Sequence, residues 1–176
     1  MINIECDDDF LRKSITVLFE QKKFFLKNYY SNKFFFNLNF YQQDDSLYCS
    51  IENDQIKFNL PKNFDEIFEK IYEFLSNKNI NISKFKYYPF KQLIQNEEKI
   101  TFLSEIQNQI MISLLLNIEE GIEKTKLIKK IWPKDKDIFF NKLDTHLTNL
   151  KNQLQNDLNF NLKFSSKSGI LKLGIN

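Results

Sequence analysis

Residues 142–154 constrain the fold of this chain most, because as a helix they have two unlike faces. Leu143, Leu147, Leu150 and Leu154 recur at steps of four, three and four, which is the period of one apolar helix face. The other side carries basic and hydrogen-bonding side chains, namely Lys142, Thr145, Thr148, Asn149 and Asn152. The pattern predicts a helix that packs on a core by its leucines and can offer hydrogen bonds to base edges.

The segments around this helix predict two more helices and a hairpin. A first helix begins after Ser104, and a second is capped by Thr125 and ended by Trp132-Pro133, since proline does not continue a helix. The third helix is predicted at 139–155. Strands at 160–164 and 170–174 enclose a polar, basic tip at 165–169. Three helices followed by a hairpin indicate a winged helix-turn-helix, whose third helix enters the major groove.

The first half of the chain predicts a separate small α/β module. Its expected elements are a strand at 1–5, a helix at 10–25, strands at 34–41, 47–51 and 55–60, Pro61, and a helix at 64–75. The polar segment 76–81 separates the halves, and strands are expected beyond it at 85–88 and 100–102, with a third near 92–94. We therefore expect an α+β chain, with the small α/β module at 1–78 and the winged helix-turn-helix domain at 79–176.

Charge is distributed unevenly along the chain. Residues 1–79 hold 10 basic and 13 acidic side chains, whereas residues 124–176 hold 11 lysines and 4 carboxylates, a net charge of +7. Positive potential is thus expected around the third helix, as a phosphate-binding surface requires, although a solvated lysine-rich surface would look the same. Arg12 is the only arginine, so phosphate contacts there would fall to lysine, which lacks the bidentate fork.

The sequence offers no convincing catalytic or metal-binding group. Cys6 and Cys49 are the only cysteines and suit two reduced thiols, and no Cys/His cluster has metal spacing. The acidic run at 7–9 could bind Mg²⁺, but helix capping is the favoured interpretation. His146 has no nucleophile or carboxylate placed for catalysis. With no apolar run of membrane length and no leader pattern, we expect a cytoplasmic protein without enzymatic activity, cofactor, metal site or membrane span.

Two runs in the second half match a known pattern. The run at 126–132 ends in Trp132, and after nine residues the run at 141–151 places Asp144, His146, Leu147 and Leu150 as in the helix pattern Val-Asp-x-His-Ile-x-x-Leu-Arg. Gly169-Ile170 stands where that pattern ends its wing with Gly-Tyr. On these motifs, residues 82–175 resemble the effector domain of OmpR/PhoB-type response regulators, the bacterial transcription factors of two-component systems.

The resemblance implies roles for ten side chains. Positions that contact the phosphate backbone in the family hold Trp132, Asn141, His146, Thr148 and Lys151 here. Positions that face bases hold Lys142, Thr145 and Asn149, and the wing tip holds Ser166 and Lys167. Several family arginines are replaced by Asn141, Thr148 and Asn149. We therefore expect either a modest affinity or a preference for A·T-rich sites through asparagine–adenine pairing.

The family's N-terminal half is normally a receiver that is phosphorylated on aspartate. Residues 1–9 resemble its first strand and acidic pocket, and residues 60–64 with the helix after them resemble its end. The stretch between them is too short and shows no hydrophobic strand that ends in an acceptor aspartate. We expect either a shrunken receiver or an unrelated βα-type module, without phosphorylation in both cases, that serves dimerisation or partner binding.

These observations predict a sequence-specific, double-stranded DNA-binding transcriptional regulator. It would be response-regulator-like but not controlled by aspartate phosphorylation, homodimeric through its N-terminal module, and able to engage RNA polymerase. The alternative is a protein-interaction scaffold on a winged-helix fold that does not bind DNA. Duplex binding that weakens steeply with salt distinguishes the two.

Overall fold

The computed structural model describes residues 2–21, 35–60, 62–135 and 140–174. The predictions for residues 22–34, for Pro61 and for residue 139 lie outside these ranges. The chain divides into two compact units, Met1–Leu75 and Ser76–Asn176. Among the described residues, no helix is long and apolar enough to cross a membrane.

The N-terminal unit is a mixed sheet with two amphipathic helices. Its elements are β1 (Ile2–Cys6), α1 (Asp9–Gln21), β2 (Phe36–Gln43), β3 (Ser46–Ile51), β4 (Asp54–Asn59) and α2 (Phe64–Ser76). β1 pairs with β2 in parallel, and β2, β3 and β4 form an antiparallel meander. Ile15 and Phe19 of α1 and Ile67 and Ile71 of α2 are buried, as their helical spacing predicts. The predicted small α/β module is confirmed.

The sheet pattern bears on the two alternatives for this unit. A receiver is doubly wound around a parallel sheet, whereas among the described strands of this unit only the β1–β2 pair is parallel. Two members of the acidic run have partners within α1. The Asp8 carboxylate caps the helix by accepting the Leu11 N–H at 2.7 Å, and Asp9 pairs with Arg12 at 2.5 Å. The arrangement therefore fits an unrelated βα-type module better than a shrunken receiver.

The C-terminal unit has two sheets and three helices. Its elements are β5 (Ile80–Ile82), β6 (Phe85–Tyr88), β7 (Leu93–Gln95), β8 (Ile100–Phe102), α3 (Glu105–Leu116), β9 (Ile122–Glu123), α4 (Lys124–Ile131), α5 (Phe140–Leu158), β10 (Lys163–Lys167) and β11 (Ile170–Gly174). β5 to β8 form an antiparallel sheet, and β10, β11 and β9 form a second one. α3, α4 and α5 pack on one another, and the hairpin β10–β11 follows them. The predicted winged helix-turn-helix is confirmed.

Some helix ends follow the predicted signals and one does not. α3 begins after Ser104, as predicted, and Ser104 caps it in a reciprocal capping box with Gln107. α4 ends at Ile131, and the Trp132 N–H donates to the Ile128 carbonyl at 2.8 Å. The prediction that Thr125 caps α4 is wrong. The helix begins at Lys124, because the residues just before it form β9 and their pairing with β11 sets where the extended backbone stops.

The wing also differs from its prediction. Its first strand begins at Lys163 rather than at residue 160, because Phe160 and Leu162 are buried in the core before the strand starts. Ser168 and Gly169 both have positive φ, at 52° and 77°, which is typical of a two-residue hairpin turn. The tip is therefore two residues long. Ser166 and Lys167, predicted at the tip, lie in β10 opposite Leu171 and Ile170.

Two sets of contacts fix the rotation of α5 about its axis. Five leucines at one face are buried: Leu143, Leu147, Leu150, Leu154 and Leu158. Beside them, Gln153 donates to the Thr101 hydroxyl at 2.9 Å and to the Phe102 carbonyl at 2.8 Å, and accepts from Gln107 at 2.9 Å. Thr101 in turn donates to Asp157 at 2.6 Å. Hydrogen bonds of this kind contribute about 1 kcal/mol each, and they determine which side of α5 faces outward.

Candidate nucleic-acid interface

The side of α5 opposite the leucines is exposed and polar. We define the outer face as Asn141, Thr145, Asn149, Asn152 and Asn156, all of which are exposed. The two carboxylates of α5 lie to either side of this face, and each has a partner within the C-terminal unit: Asp144 accepts from Lys124 at 2.7 Å, and Asp157 accepts from Thr101. The outer face is therefore free of carboxylates, which would repel a phosphate backbone.

Two threonine hydroxyls of α5 are engaged within the helix. Thr145 donates to the Asn141 carbonyl at 2.7 Å, and Thr148 donates to the Asp144 carbonyl at 2.9 Å. Such bonds to the carbonyl four residues earlier use the only hydrogen that a hydroxyl can donate. In this conformation each threonine can offer a partner its methyl group and its remaining lone pairs, but no hydroxyl donor.

A tryptophan cluster, consisting of Trp132, Asp135, Lys142 and His146, lies where the end of α4 meets the start of α5. The Lys142 ammonium is 2.8 Å from an Asp135 carboxylate oxygen and 4.5 Å from the centroid of the Trp132 ring. The His146 ring centroid is 5.5 Å from that of Trp132, with the planes tilted by 35°. The structure thus brings together three predicted site residues, namely Trp132, Lys142 and His146. Asp135 was not among the predicted site residues.

The tryptophan cluster changes the protonation of His146. Burial lowers the pKa of His146 below its ordinary value of 6.5, and the positive charge of Lys142 lowers this pKa further. His146 is therefore neutral at neutral pH and can donate one ring N–H.

We expect duplex binding to raise the pKa of His146, because a neighbouring phosphate stabilises the protonated ring. The complex then holds more protons than the free protein, so affinity should rise as pH falls from about 7.5 to about 5.5. His146 is the only histidine in the chain, and an NMR titration of its ring would follow this pKa directly. A pKa that the duplex leaves unchanged would contradict the assignment, and a His146→Gln variant should lose this part of the pH dependence.

Lys124 joins the wing to α5. Its backbone N–H donates to the Gly169 carbonyl in the wing turn at 2.9 Å, and its ammonium donates to Asp144 on α5 at 2.7 Å. The Lys124 side chain is only 17% exposed, so this ion pair is partly shielded from solvent. The sequence does not reveal this link, since it joins residues that are 20 and 45 positions apart through the fold.

The remaining predicted site residues are exposed. On α5 these are Asn141, Asn149 and Lys151, and on β10 they are Ser166 and Lys167. Their exposure is compatible with the predicted contacts but does not test them. Among the described residues, no group of three or more His, Cys, Asp or Glu side chains is arranged to hold a metal ion.

Comparisons with known proteins give a limited result. No protein-family profile matches the chain, and no curated protein sequence matches it significantly. Among solved structures, the DNA-binding domain of Escherichia coli CadC aligns with a TM-score of 0.49 and 14% identity, over 57% of this chain and 95% of that chain. The C-terminal domain of the nisin resistance regulator NsrR, a lantibiotic response regulator, aligns with a TM-score of 0.44 and 21% identity, over 55% and 96%. At these values, the winged helix-turn-helix class rests on the order and packing of the elements described above.

Proposed function

We propose that this protein is a sequence-specific transcriptional regulator that binds double-stranded DNA through its C-terminal unit. The observation that carries the proposal is the outer face of α5, a carboxylate-free row of exposed amide and hydroxyl side chains opposite five buried leucines. In a winged helix-turn-helix the third helix enters the major groove, where such side chains can contact base edges. The net charge of +7 over residues 124–176 gives this surface the sign that a polyanion requires.

The role that we propose for each side chain follows the resemblance to OmpR/PhoB-type effector domains. The proposed phosphate contacts are made by Trp132, Asn141, His146, Thr148 and Lys151, and the proposed base contacts by Lys142, Thr145 and Asn149. Thr148 must first release its hydroxyl hydrogen from the Asp144 carbonyl, because a phosphate oxygen can only accept a hydrogen bond. Ser166 and Lys167 contact the backbone from the wing. Lysine rather than arginine supplies the positive charge. Each lysine therefore contacts a phosphate as a point charge, without the two parallel hydrogen bonds that arginine can form.

The N-terminal unit has a different proposed role. We assign it to homodimerisation, with RNA polymerase as a further partner of the assembled regulator, and we expect no control by aspartate phosphorylation. The support is that the mixed sheet departs from the doubly wound sheet of a receiver, that Asp8 caps α1, and that Asp9 pairs with Arg12. A second copy bound through this unit would let the protein contact paired half-sites on DNA.

One observation favours the alternative of a protein-interaction scaffold. Two lysines beside the outer face, Lys124 and Lys142, are paired with Asp144 and Asp135. These pairs lower the positive potential that a duplex would meet. A surface of mixed charges and amides can also serve contacts with a protein, which is why duplex binding itself must be measured.

The test is the salt dependence of duplex affinity. Among the proposed phosphate contacts, Lys151 and Lys167 are charged, so the logarithm of the binding constant should fall against the logarithm of salt concentration with a slope of about −1.8. A Lys151→Gln variant should reduce the steepness of this slope by about one, because it removes one phosphate contact. The matched control is Lys57→Gln on β4 of the N-terminal unit, which should leave the slope unchanged. Absent duplex binding, or a slope near zero, would contradict the proposal and favour the scaffold.

A further inference from the structure

We infer that the outer face of α5 selects A·T base pairs, with Asn149 and Asn152 as the adenine-contacting residues and Thr145 as a thymine-contacting residue. This inference rests on the proposed function, because it requires α5 to lie in a major groove. It goes further by naming the base pairs that the protein prefers and the side chains responsible.

The asparagines are concentrated on this one helix face. α1, α2 and α4 contain no asparagine, and the single asparagine of α3, Asn108, is buried and bonded to Tyr87 and Pro89. α5 contains four, namely Asn141, Asn149, Asn152 and Asn156, and all are exposed. At 3.6 residues per turn they fall within an arc of about 80°, opposite the leucines. A general abundance of asparagine in the chain does not explain this distribution, since the other exposed helix faces lack it.

Asparagine is also unfavourable for the stability of the helix at these four positions. Its helix propensity is poorer than that of lysine, glutamate or alanine. The exposed side of α2 shows what a solvated face of this protein looks like, with Asp65, Glu66, Glu69 and Lys70 and no amide. Four exposed asparagines on α5 therefore indicate a requirement for the amide group itself.

The chemistry of these groups matches A·T pairs. An asparagine amide can donate to N7 and accept from the N6 amino group of one adenine, and the methyl group of threonine can contact the methyl group of thymine. The Thr145 hydroxyl hydrogen is held by the Asn141 carbonyl at 2.7 Å, so Thr145 cannot donate to a base but can still offer its methyl group to thymine. Guanine is read mainly by arginine or lysine. The chain has no arginine on α5, and Lys142 is held by Asp135 and Trp132.

The spacing along the helix is suitable for a short run of base pairs. From Asn141 to Asn152 the helix rises by about 17 Å at 1.5 Å per residue, which corresponds to roughly five base-pair steps of 3.4 Å. Asn149 and Asn152 are separated by three residues and lie on either side of the centre of the outer face. They can therefore contact neighbouring base pairs without competing for the same one.

The experiment is selection of bound duplexes from a random pool, with the full chain and four variants. For the unaltered protein we expect enrichment of A·T pairs at about three neighbouring positions, one for each named side chain, by about tenfold per position over G·C. Asn149→Ala and Asn152→Ala should each relax the preference at one position and leave the others intact. Asn149→Arg should shift the selected base at its position towards guanine, because arginine forms the bidentate contact with guanine. The matched control, Asn81→Ala on β5, should change nothing.

The outcomes separate this inference from the proposed function. If no duplex is retained at any salt concentration, the proposed function fails. If duplexes are retained but show G·C preference or none, the inference fails and the proposed function stands. If neither alanine variant relaxes the A·T preference at any position, the inference is also overturned, since the preference would come from DNA shape or from the wing rather than from α5. The variants should fold, because both asparagines are exposed and alanine has the higher helix propensity.

Discussion

Replacing Gly121 by alanine is expected to lower the free energy of unfolding of the C-terminal unit by about 3 kcal/mol. Gly121 has φ of +80°, a conformation that L side chains rarely adopt. A Cβ there would lie 2.8 Å from the Leu171 carbonyl oxygen and 2.7 Å from a methyl carbon of Ile170. Because both atoms belong to β11, relief requires the wing strand to move away from β9.

The matched control for this prediction is Gly169→Ala in the wing turn. Gly169 has a similar φ of +77°, but a Cβ there would meet no atom within 4 Å. Its replacement should therefore cost only the backbone strain, about 1 kcal/mol. Denaturant unfolding can be followed by the fluorescence of Trp132, which is the only tryptophan and lies in this unit. Equal destabilisation by the two alanines would contradict the close packing of Gly121 against β11.

The Asp135→Asn variant is expected to bind duplex DNA more tightly, by about fivefold, or roughly 1 kcal/mol. The Asp135 carboxylate holds the Lys142 ammonium at 2.8 Å, so an acceptor group on a base must compete with it for this cation. The same carboxylate also repels an approaching phosphate. The asparagine removes the negative charge and keeps the shape, so both effects act in the direction of tighter binding. The gain should shrink as salt rises, because the pair is partly exposed.

A double-mutant cycle tests the cause of this gain. In a Lys142→Ala background, Asp135→Asn should give a smaller increase, because only the repulsion of phosphate is removed there. Asp45→Asn, at the exposed turn between β2 and β3, is the matched control and should leave affinity unchanged. Unchanged or weaker binding by Asp135→Asn would mean that Asp135 positions Lys142 for DNA rather than competing for it.

The parts of the fold that could be predicted are those set by local periodicity. The leucines of α5, the apolar stripes of α1 and α2 and the end of α4 before Pro133 depend on residues within a few positions of each other. The parts that could not be predicted depend on pairing across the fold. β9 is two residues long and exists because Ile122 and Glu123 pair with β11. The late start of β10 depends on the burial of Phe160 and Leu162.

The candidate site, like the fold, could be predicted only in the parts that depend on local sequence. The outer face of α5 follows from the sequence, because exposure on a helix is set by its position relative to the leucines. The sequence does not show, however, that the lysines beside this face are paired with carboxylates. Lys142 is held by Asp135 across residues 136–139, and Lys124 reaches Asp144 only after α4 has packed on α5. Sequence alone therefore overestimates the positive charge that a duplex would meet at this surface.

The central claim is that DNA binds to the outer face of α5 and to the wing. The most direct measurement is the change in backbone amide chemical shifts of the full chain as a duplex is added. We predict the largest changes at 141–152 and at Ser168 and Gly169, with those of β3 in the N-terminal unit unaffected. Changes confined to the β5–β8 sheet or to the N-terminal unit would contradict the claim.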